Sequence, residues 1–187
     1  NPSISFFVTL DTEAEVETAW AALIQGGKAL MELNSYPWAK KYGWLQDKYG
    51  MSWQLSTGQT GVPEMIAPML MFTQGNAGKA KEAVEFYTSV FPNSKIDALV
   101  PYEKGDGDKE GLIKHARFTL AGELFLAMES TLQHDFVFNE AFSLMVNCET
   151  QEEIDFYWSK LSAVPEAEQC GWCKDKFGVS WQITPTA

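Results

Sequence analysis

Residues 43–55 read GWLQDKYGMSWQL, and residues 171–183 read GWCKDKFGVSWQI. Eight of the thirteen positions are identical, and the identical residues include two tryptophans and a glutamine. Self-similarity over such a stretch is the signature of a repeated structural unit. The two stretches therefore indicate that this chain arose by internal duplication.

The duplication extends toward the start of each copy. The upstream matches share one offset of 138 residues: Ser5 with Ser143, Val8 with Val146, and Trp20 with Trp158. At the final tryptophans, Trp53 and Trp181, the offset falls to 128 residues (181 − 53). The later copy is therefore shorter by ten residues between its helix and its last strands, where loops tolerate such a loss.

Local patterns give the order of elements in the first copy. Residues Ile4 to Leu10 are β-branched and aromatic, as in a strand, and acidic residues after Thr12 favour the start of a helix. An apolar face at helical spacing follows until Gly26 and Gly27, and strands are predicted around 28–34, 41–47 and 51–56. This unit therefore reads β-α-β-β-β.

The same order occurs again after residue 63. A strand from Met65 to Phe72 precedes a helix that we expect Asn76 to cap, and strands are predicted around 94–101, 111–120 and 123–129. The third unit opens with the strand 141–148 and continues into a helix. Only the first and third units carry the repeated ending, so two types of half-module alternate along the chain.

This alternation predicts the domain organisation. Residues 1–58 are a second-type half-module whose partner half is missing or is supplied by another chain. Residues 59–63 form a polar linker broken by glycine and proline. Residues 64–187 form a complete pair of half-modules. Because the first unit is a second half without its first, we expect a first half-module to precede Asn1 unless another chain provides it, and the absence of an initiator methionine agrees with this expectation.

With these modules and the ending DKFGVSWQI, the chain resembles the PhnB-like branch of the glyoxalase, bleomycin-resistance and dioxygenase superfamily, often labelled 3-demethylubiquinone-9 3-methyltransferase-like. The resemblance implies an α+β fold in which repeated βαβββ modules form curved mixed sheets around a concave cavity. It also implies metal ligands on the first and last strands, at the positions of Met69, Glu129, Gln182 and Gln54. Methionine and glutamine are poor ligands for hard divalent cations, so we expect no metal site, and a divalent metal cofactor is disfavoured.

Composition limits the partners. The chain has 187 residues, 45% of them hydrophobic, and a formal net charge of −11. This charge repels phosphate backbones and anionic lipids, so neither nucleic acid nor membrane is expected as a partner. The three cysteines do not suggest a disulfide framework, which predicts a cytoplasmic protein.

Two strands of the second unit supply the candidate catalytic residues. Strand alternation places His115 and Arg117 on one face and Ala116 and Phe118 on the other. If the apolar face meets the helices, His115 lines the cavity as a base, and Arg117 offers a fork to a carboxylate or phosphonate. Glu129 ends the next strand as a second candidate base or ligand. The alternative is that these are solvated polar groups without catalytic duty.

The remaining candidates are binding residues and two cysteines. Met69, Gln182 and Trp172 are expected to contact the substrate together with Arg117. Cys170 and Cys173 have the spacing of a redox dithiol or of half a zinc site, but the first copy has Tyr42 and Leu45 at these positions. The cysteines are therefore not part of what is repeated.

Together these observations predict a glyoxalase-like protein that binds a small organic molecule in a sheet-lined cavity. Its reaction is of lyase, isomerase or oxygenase type if it is an enzyme. The alternative is a non-catalytic sequestering protein of the bleomycin-resistance type. Methyl transfer is disfavoured because no glycine-rich strand-turn-helix suits S-adenosylmethionine. We also expect a homodimer, because an unpaired half-module exposes a sheet edge.

Overall fold

The computed structural model describes residues 1–58 and 65–186, so the predicted linker 59–63 lies outside them. These residues form eleven strands and three helices. The strands are β1 (Ile4–Leu10), β2 (Lys28–Tyr36), β3 (Ala39–Gln46), β4 (Ser52–Thr57), β5 (Met65–Thr73), β6 (Lys95–Pro101), β7 (Ile113–Leu120), β8 (Glu123–Ser130), β9 (Ser143–Cys148), β10 (Trp172–Lys174) and β11 (Ser180–Pro185). The helices are α1 (Glu13–Leu23), α2 (Ala80–Val90) and α3 (Gln151–Leu161).

The strands form two sheets. Eight strands make the first sheet, in the order β2-β3-β4-β1-β5-β8-β7-β6, and three make the second, in the order β10-β11-β9. Both sheets contain parallel and antiparallel pairs, because β1 runs parallel to β4 and β9 runs parallel to β11. The predicted α+β class with repeated modules and curved mixed sheets is confirmed.

The first two units share the eight-stranded sheet. Strand β1 of the first unit pairs antiparallel with β5 of the second, from Ile4 opposite Leu70 to Thr9 opposite Met65. The sequence predicts that the second and third units pair with each other and that the first lacks a partner in this chain. In the structure, the first unit instead shares its sheet with the second. The third unit, which lost ten residues, has one strand fewer than the first and forms its own sheet.

Side chains rather than strand pairing join the third unit to the second. The rings of Tyr87 and Phe91, at α2, lie 5.4 Å from the ring of Trp181 in β11. Phe177 lies 5.7 Å from Tyr87. Helix α2 is therefore enclosed in one apolar core between β5, β7 and β8 on one side and the third unit on the other.

Two features of the repeated sequence are explained by how the helices begin and how they pack on the strands. Thr12 and Glu15 form a capping box at the start of α1, and at the start of α3 the side chain of Thr150 accepts a hydrogen bond from the N–H of Glu153. A Cβ added at Gly43 would lie 2.4 Å from the ring of Trp20, so only glycine lets α1 approach the sheet. In the first copy this glycine thus allows helix and strand to pack closely, whereas in the third unit a Cβ added at Gly171 would lie 2.8 Å from the carbonyl oxygen of Ile183.

Helices α1 and α2 cover one face of the eight-stranded sheet, so its opposite, concave face is lined by a different set of side chains. Met71, Trp44 and Tyr42 form one cluster there, and Met69 and Leu126 form another. Phe136 packs against Trp44, and its carbonyl accepts a hydrogen bond of 2.6 Å from Thr73. Phe136 therefore covers part of the concave face, whereas Phe138 packs against Phe72 in the core on the helix side.

Candidate functional site

His115 and Arg117 lie on the concave face at the β7 end of the sheet. Their neighbours Ala116 and Phe118 are fully buried against α2, as the alternation predicts. Both polar side chains are half-buried, and Arg117 Nη1 lies 3.7 Å from the sulfur of Met65. Burial lowers the pKa of His115, and the charge of Arg117 lowers it further, so the imidazole is neutral near pH 7.

Met69 joins these two residues on the same face. Arg117 is opposite Leu126 in β8, and Leu126 is opposite Met69 in β5, so the three side chains form one row across neighbouring strands. Met69 and Leu126 are almost completely buried. Of the residues predicted from the sequence, the structure therefore brings His115, Arg117 and Met69 together.

Glu129 lies on the opposite face of β8 from Leu126. Its Oε1 accepts hydrogen bonds from the backbone N–H groups of Gly78 (2.7 Å) and Ala80 (2.9 Å), and its Oε2 accepts one from Ile113 (2.6 Å). The carboxylate therefore caps the start of α2 and holds the start of β7. This placement differs from the expected position beside His115 in the cavity, and both oxygens are already engaged by the backbone.

The cap at α2 also differs from the prediction for Asn76. Lys79 occupies the N-cap position of α2 without a side-chain hydrogen bond. The amide of Asn76 instead donates to the carbonyl of Phe177, 2.8 Å away in the third unit. Orphan N–H groups at a helix start need acceptors, and here Glu129 of a neighbouring strand supplies them.

The first unit contributes a row of buried polar side chains, linked by hydrogen bonds, to the concave face. Gln54 in β4 donates to Ser5 Oγ in β1 (2.8 Å) and accepts from the hydroxyl of Tyr42 (2.8 Å). All three side chains are less than 10% exposed. Gln54 was predicted from the sequence as a site position, whereas Ser5 and Tyr42 were not. The repeat held a signal for Ser5, because it is matched by Ser143.

Gln182 and Trp172 lie together in the three-stranded sheet, apart from the other candidates. They are directly opposite each other in β10 and β11. Gln182 donates to Ser143 Oγ over 2.7 Å, which reproduces the contact between Gln54 and Ser5. The predicted binding residues are thus divided between two sheets, and each sheet holds one copy of the glutamine and serine pair.

The donor set does not fit a divalent metal. Within residues 1–58 and 65–186, no group of three or more His, Cys, Asp or Glu side chains is positioned to hold a metal ion. Met69 and Gln54 carry soft or weak donors, and the carboxylate of Glu129 faces away from them. We therefore derive no chemistry through a metal from the residues that the structure describes.

The two cysteines of the Cys-x-x-Cys spacing are free thiols in different surroundings. Cys170 is exposed, whereas Cys173 is buried. Burial raises the pKa of Cys173 to about 11, and the charges of Asp175 and Glu168 contribute to the shift. Because the thiolate is the reactive form, these surroundings make Cys173 unreactive.

A cleft of about 410 Å³ opens between the second and third units, near Asn76, Val164 and Phe177. The two lysines on its rim already form ion pairs, Lys174 with Glu140 and Lys176 with Glu82. The cleft therefore presents no free cation among the described residues. In the described part of the chain, no helix is long and apolar enough to cross a membrane.

Comparisons with known proteins agree with this architecture. The family model described as 3-demethylubiquinone-9 3-methyltransferase matches residues 1–56 and 64–184. A Bacillus cereus PhnB protein that bears the same description is 42% identical, over 63% of this chain and 96% of its own, with a TM-score of 0.54. No curated protein matches the sequence significantly.

More distant structures share the fold. Glyoxalase I of Zea mays, solved as a V278E mutant, is 15% identical with a TM-score of 0.57, over 96% of this chain and 66% of its own. A Bacillus subtilis protein described as a dioxygenase is 9% identical with a TM-score of 0.51, over 97% of this chain and 60% of its own. The chain therefore belongs to the 3-demethylubiquinone-9 3-methyltransferase family, it is similar to a PhnB protein, and it shares the fold of glyoxalase I.

Proposed function

We propose that this protein binds a small organic acid on the concave face of the eight-stranded sheet, with Arg117 pairing with the acid group. Arg117 is the only arginine of the chain, which carries a net charge of −11. Among the described residues, none of the ion pairs involves Arg117, although carboxylates pair with several lysines. The guanidinium of Arg117 is half-buried and lies against the thioether of Met65. A partly buried cation in such surroundings supports binding of an anion there.

Methionines supply the apolar part of this site. Five of the seven methionines pack in the two clusters on the concave face: Met31, Met65, Met69, Met71 and Met128. Methionine side chains are flexible and polarisable, and they adapt to ligands of different shape. An aromatic or aliphatic body attached to the acid group would lie on these side chains, with Met69 beneath it.

His115 is the candidate for chemistry on the bound acid. Its pKa is lowered by burial and by Arg117, so at neutral pH it can accept a proton rather than hold one. Proton abstraction next to the acid group would then belong to the lyase or isomerase type. Glu129 has no part in this proposal because its oxygens accept backbone hydrogen bonds beside α2.

The methyl-transfer reaction in the family description is not part of this proposal, since the chain lacks a glycine-rich loop for S-adenosylmethionine. We place the protein in the cytoplasm, where the free thiols of Cys148, Cys170 and Cys173 would stay reduced. We also expect it to act as a homodimer.

The test is binding of matched acids and amides by calorimetry. The probes are benzoate, phenylacetate and octanoate, each compared with its neutral amide. A charge-assisted hydrogen bond contributes about 1.5–3 kcal/mol, so the acid should bind at least about tenfold more tightly than the amide. Arg117→Gln should abolish this difference, and Arg117→Lys should retain part of it.

Lys114→Gln is the matched control, because Lys114 lies on the same strand and pairs with Asp106 at the surface. It should leave the preference for acids unchanged. If Arg117→Gln binds acids as tightly as the wild type, or if none of the acids binds at millimolar concentration, the proposal is wrong. Consumption of a bound acid that His115→Gln prevents would indicate an enzyme, and binding without turnover would indicate a sequestering protein.

A further inference from the structure

The hydroxyl group of Thr9, near the end of β1, is buried and has no hydrogen-bond partner among the described residues. The whole side chain is 9% exposed. Proteins rarely leave a buried polar group unpaired, because its lost hydrogen bonds with water are then not replaced. Such a group calls for an explanation, and a role in binding is one that the surroundings of Thr9 support.

Thr9 lies on the concave face of the eight-stranded sheet. Its neighbours in β1, Val8 and Leu10, pack with α1 on the other face. Successive side chains of a strand alternate between faces, so Thr9 shares the concave face with Phe7, which packs in both clusters there. The unpaired hydroxyl is thus on the same face as Arg117.

The strand register places Thr9 beside the residue that Arg117 contacts. Thr9 is directly opposite Met65 in the antiparallel pair of β1 and β5. The Cβ atoms of such a pair lie about 5 Å apart. The sulfur of Met65 in turn lies 3.7 Å from Arg117 Nη1. The guanidinium and the hydroxyl therefore flank one methionine side chain.

The neighbour of Thr9 on the other side does not satisfy its hydroxyl. Ser56 is opposite Thr9 in the parallel strand β4, and the hydroxyl of Ser56 donates to the carbonyl of Thr57 (3.1 Å). A threonine hydroxyl can donate one hydrogen bond and can also accept. Both capacities of Thr9 are therefore unused within the described part of the chain.

We propose that Thr9 determines which acids bind, because it forms a hydrogen bond with a hydroxyl or carbonyl group of the ligand. The site then selects hydroxy acids or keto acids. This inference rests on the proposed binding of an acid by Arg117 and adds a second polar contact to it. An acid without a second polar group leaves the hydroxyl of Thr9 unpaired and binds less tightly.

Met65 controls access to this hydroxyl. Thr9 Oγ1 is enclosed in the structure, so a ligand reaches it when a neighbouring side chain turns aside. Met65 is partly exposed, and a methionine side chain has three rotatable bonds. An acid that pairs with Arg117 draws the guanidinium away from the sulfur and leaves Met65 free to turn. The acid group therefore binds first, and the second polar group meets Thr9 afterwards.

The test is calorimetric binding of phenylacetate and of its ortho, meta and para hydroxyl derivatives. These acids share one ring and one acid group and differ in where the hydroxyl lies. A hydrogen bond between uncharged groups changes affinity about fivefold, so the wild type should bind at least one derivative about fivefold more tightly than phenylacetate. Thr9→Val, which preserves the shape of the side chain, should remove this preference without weakening the binding of phenylacetate.

Thr88→Val is the matched control, because Thr88 lies in α2 and its hydroxyl already donates to the carbonyl of Val84. It should retain the preference for the hydroxyl group. Equal binding of phenylacetate and all its derivatives by the wild type would overturn the inference, and so would a preference that persists in Thr9→Val.

The roles of Thr9 and Arg117 can fail separately. In Arg117→Gln the acids should bind more weakly, and the preference for the hydroxyl group should remain. A wild type that binds phenylacetate and ignores the hydroxyl group contradicts the role of Thr9 alone. Equal binding of a hydroxyl derivative and its neutral amide contradicts the role of Arg117 alone.

Thermal unfolding gives an independent measurement that needs no ligand. Thr73 in β5 is also a buried threonine, but its hydroxyl donates to the carbonyl of Phe136 over 2.6 Å. Thr73→Val should therefore lower the melting temperature, whereas Thr9→Val should not, because an unpaired hydroxyl contributes no hydrogen bond to the folded state. A fall of the same size in both variants would mean that Thr9 is paired and would overturn the inference.

Discussion

The repeated turns 47–55 and 175–183 have the same backbone and different surroundings. In the first, Asp47 Oδ1 accepts from the N–H groups of Tyr49 and Met51, and its Oδ2 accepts from the indole of Trp53 (3.1 Å). In the second, Asp175 makes the same three contacts with the N–H groups of Phe177 and Val179 and with the indole of Trp181.

The surroundings differ in burial and in one added donor. Asp47 is partly exposed, whereas Asp175 is 1% exposed and accepts a fourth hydrogen bond of 2.6 Å from the hydroxyl of Tyr87 in α2. Partial burial alone would raise the pKa of Asp47, but hydrogen bonds from Trp53 and the backbone lower it overall. Burial raises the pKa of Asp175 despite its four donors.

The repeated sequence therefore encodes a turn, and the neighbours of that turn decide how much it contributes to stability. The aspartate, the glycine and the tryptophan of each copy satisfy one another locally. In the third unit the same aspartate also joins α2 to β11, so a surface turn in one copy is part of the core in the other.

The largest effect is expected from Asp175→Asn. The carboxylate of Asp175 accepts four hydrogen bonds, and the NH2 group of an asparagine there would face some of these donors without an acceptor for them. We therefore expect a loss of about 3 kcal/mol in the free energy of unfolding. Asp47→Asn should cost about 1 kcal/mol, because water can solvate the donors there. Urea unfolding of the two variants measures both values. Equal losses would contradict the comparison, and Tyr87→Phe should account for about 1 kcal/mol of the larger one.

A similar loss in both copies is expected from alanine at the turn glycines. Gly50 and Gly178 have φ angles of 88° and 90°, which alanine adopts only with strain. The nearest heavy atoms to an added Cβ lie 3.9 and 3.8 Å away, so space does not limit either change. Each variant should lose about 1–2 kcal/mol of unfolding free energy. Gly75→Ala, without positive φ, is the control, and a difference above about 1 kcal/mol between the turns would mean they are not equivalent.

The smallest effect is an opposite dependence on pH. A carboxyl whose pKa is lowered on folding stabilises above its unfolded pKa, so the contribution of Asp47 is lost as the pH falls. A carboxyl whose pKa is raised on folding stabilises the folded state below its unfolded pKa, so the contribution of Asp175 to stability declines as the pH rises through its folded pKa. The measured quantity is the difference in unfolding free energy between the wild type and each variant, between about pH 3 and about pH 6. For Asp47→Asn this difference should become smaller as the pH falls, and for Asp175→Asn it should become smaller as the pH rises. Each change should be less than about 1 kcal/mol. Parallel changes would contradict the opposite signs.

The sequence correctly predicted which side chains of β7 lie on each face of the sheet. The same prediction could not be made for β8, and the reason is physical. In β7 polar and apolar residues alternate, so the period of two assigns Arg117 and Phe118 to opposite faces. In β8 both faces are buried, and the run LFLAM preceding Glu129 is apolar throughout. Periodicity cannot orient such a strand, and the direction of Glu129 depends on α2, whose orphan N–H groups need an acceptor.

By itself the sequence determined the modules, the two turns and the residues that could carry chemistry, because periodicity, capping and duplication are local. Only the tertiary structure decided which modules share a sheet, because β1, β5 and β9 have similar local patterns and their pairing depends on which open edges meet. The tertiary structure likewise separated Glu129 and Gln182 from Arg117, since sharing a face requires strand order as well as sequence position. The repeated aspartate illustrates both sides: its recurrence at positions 47 and 175 is visible in the sequence, and its burial beneath Tyr87 is not.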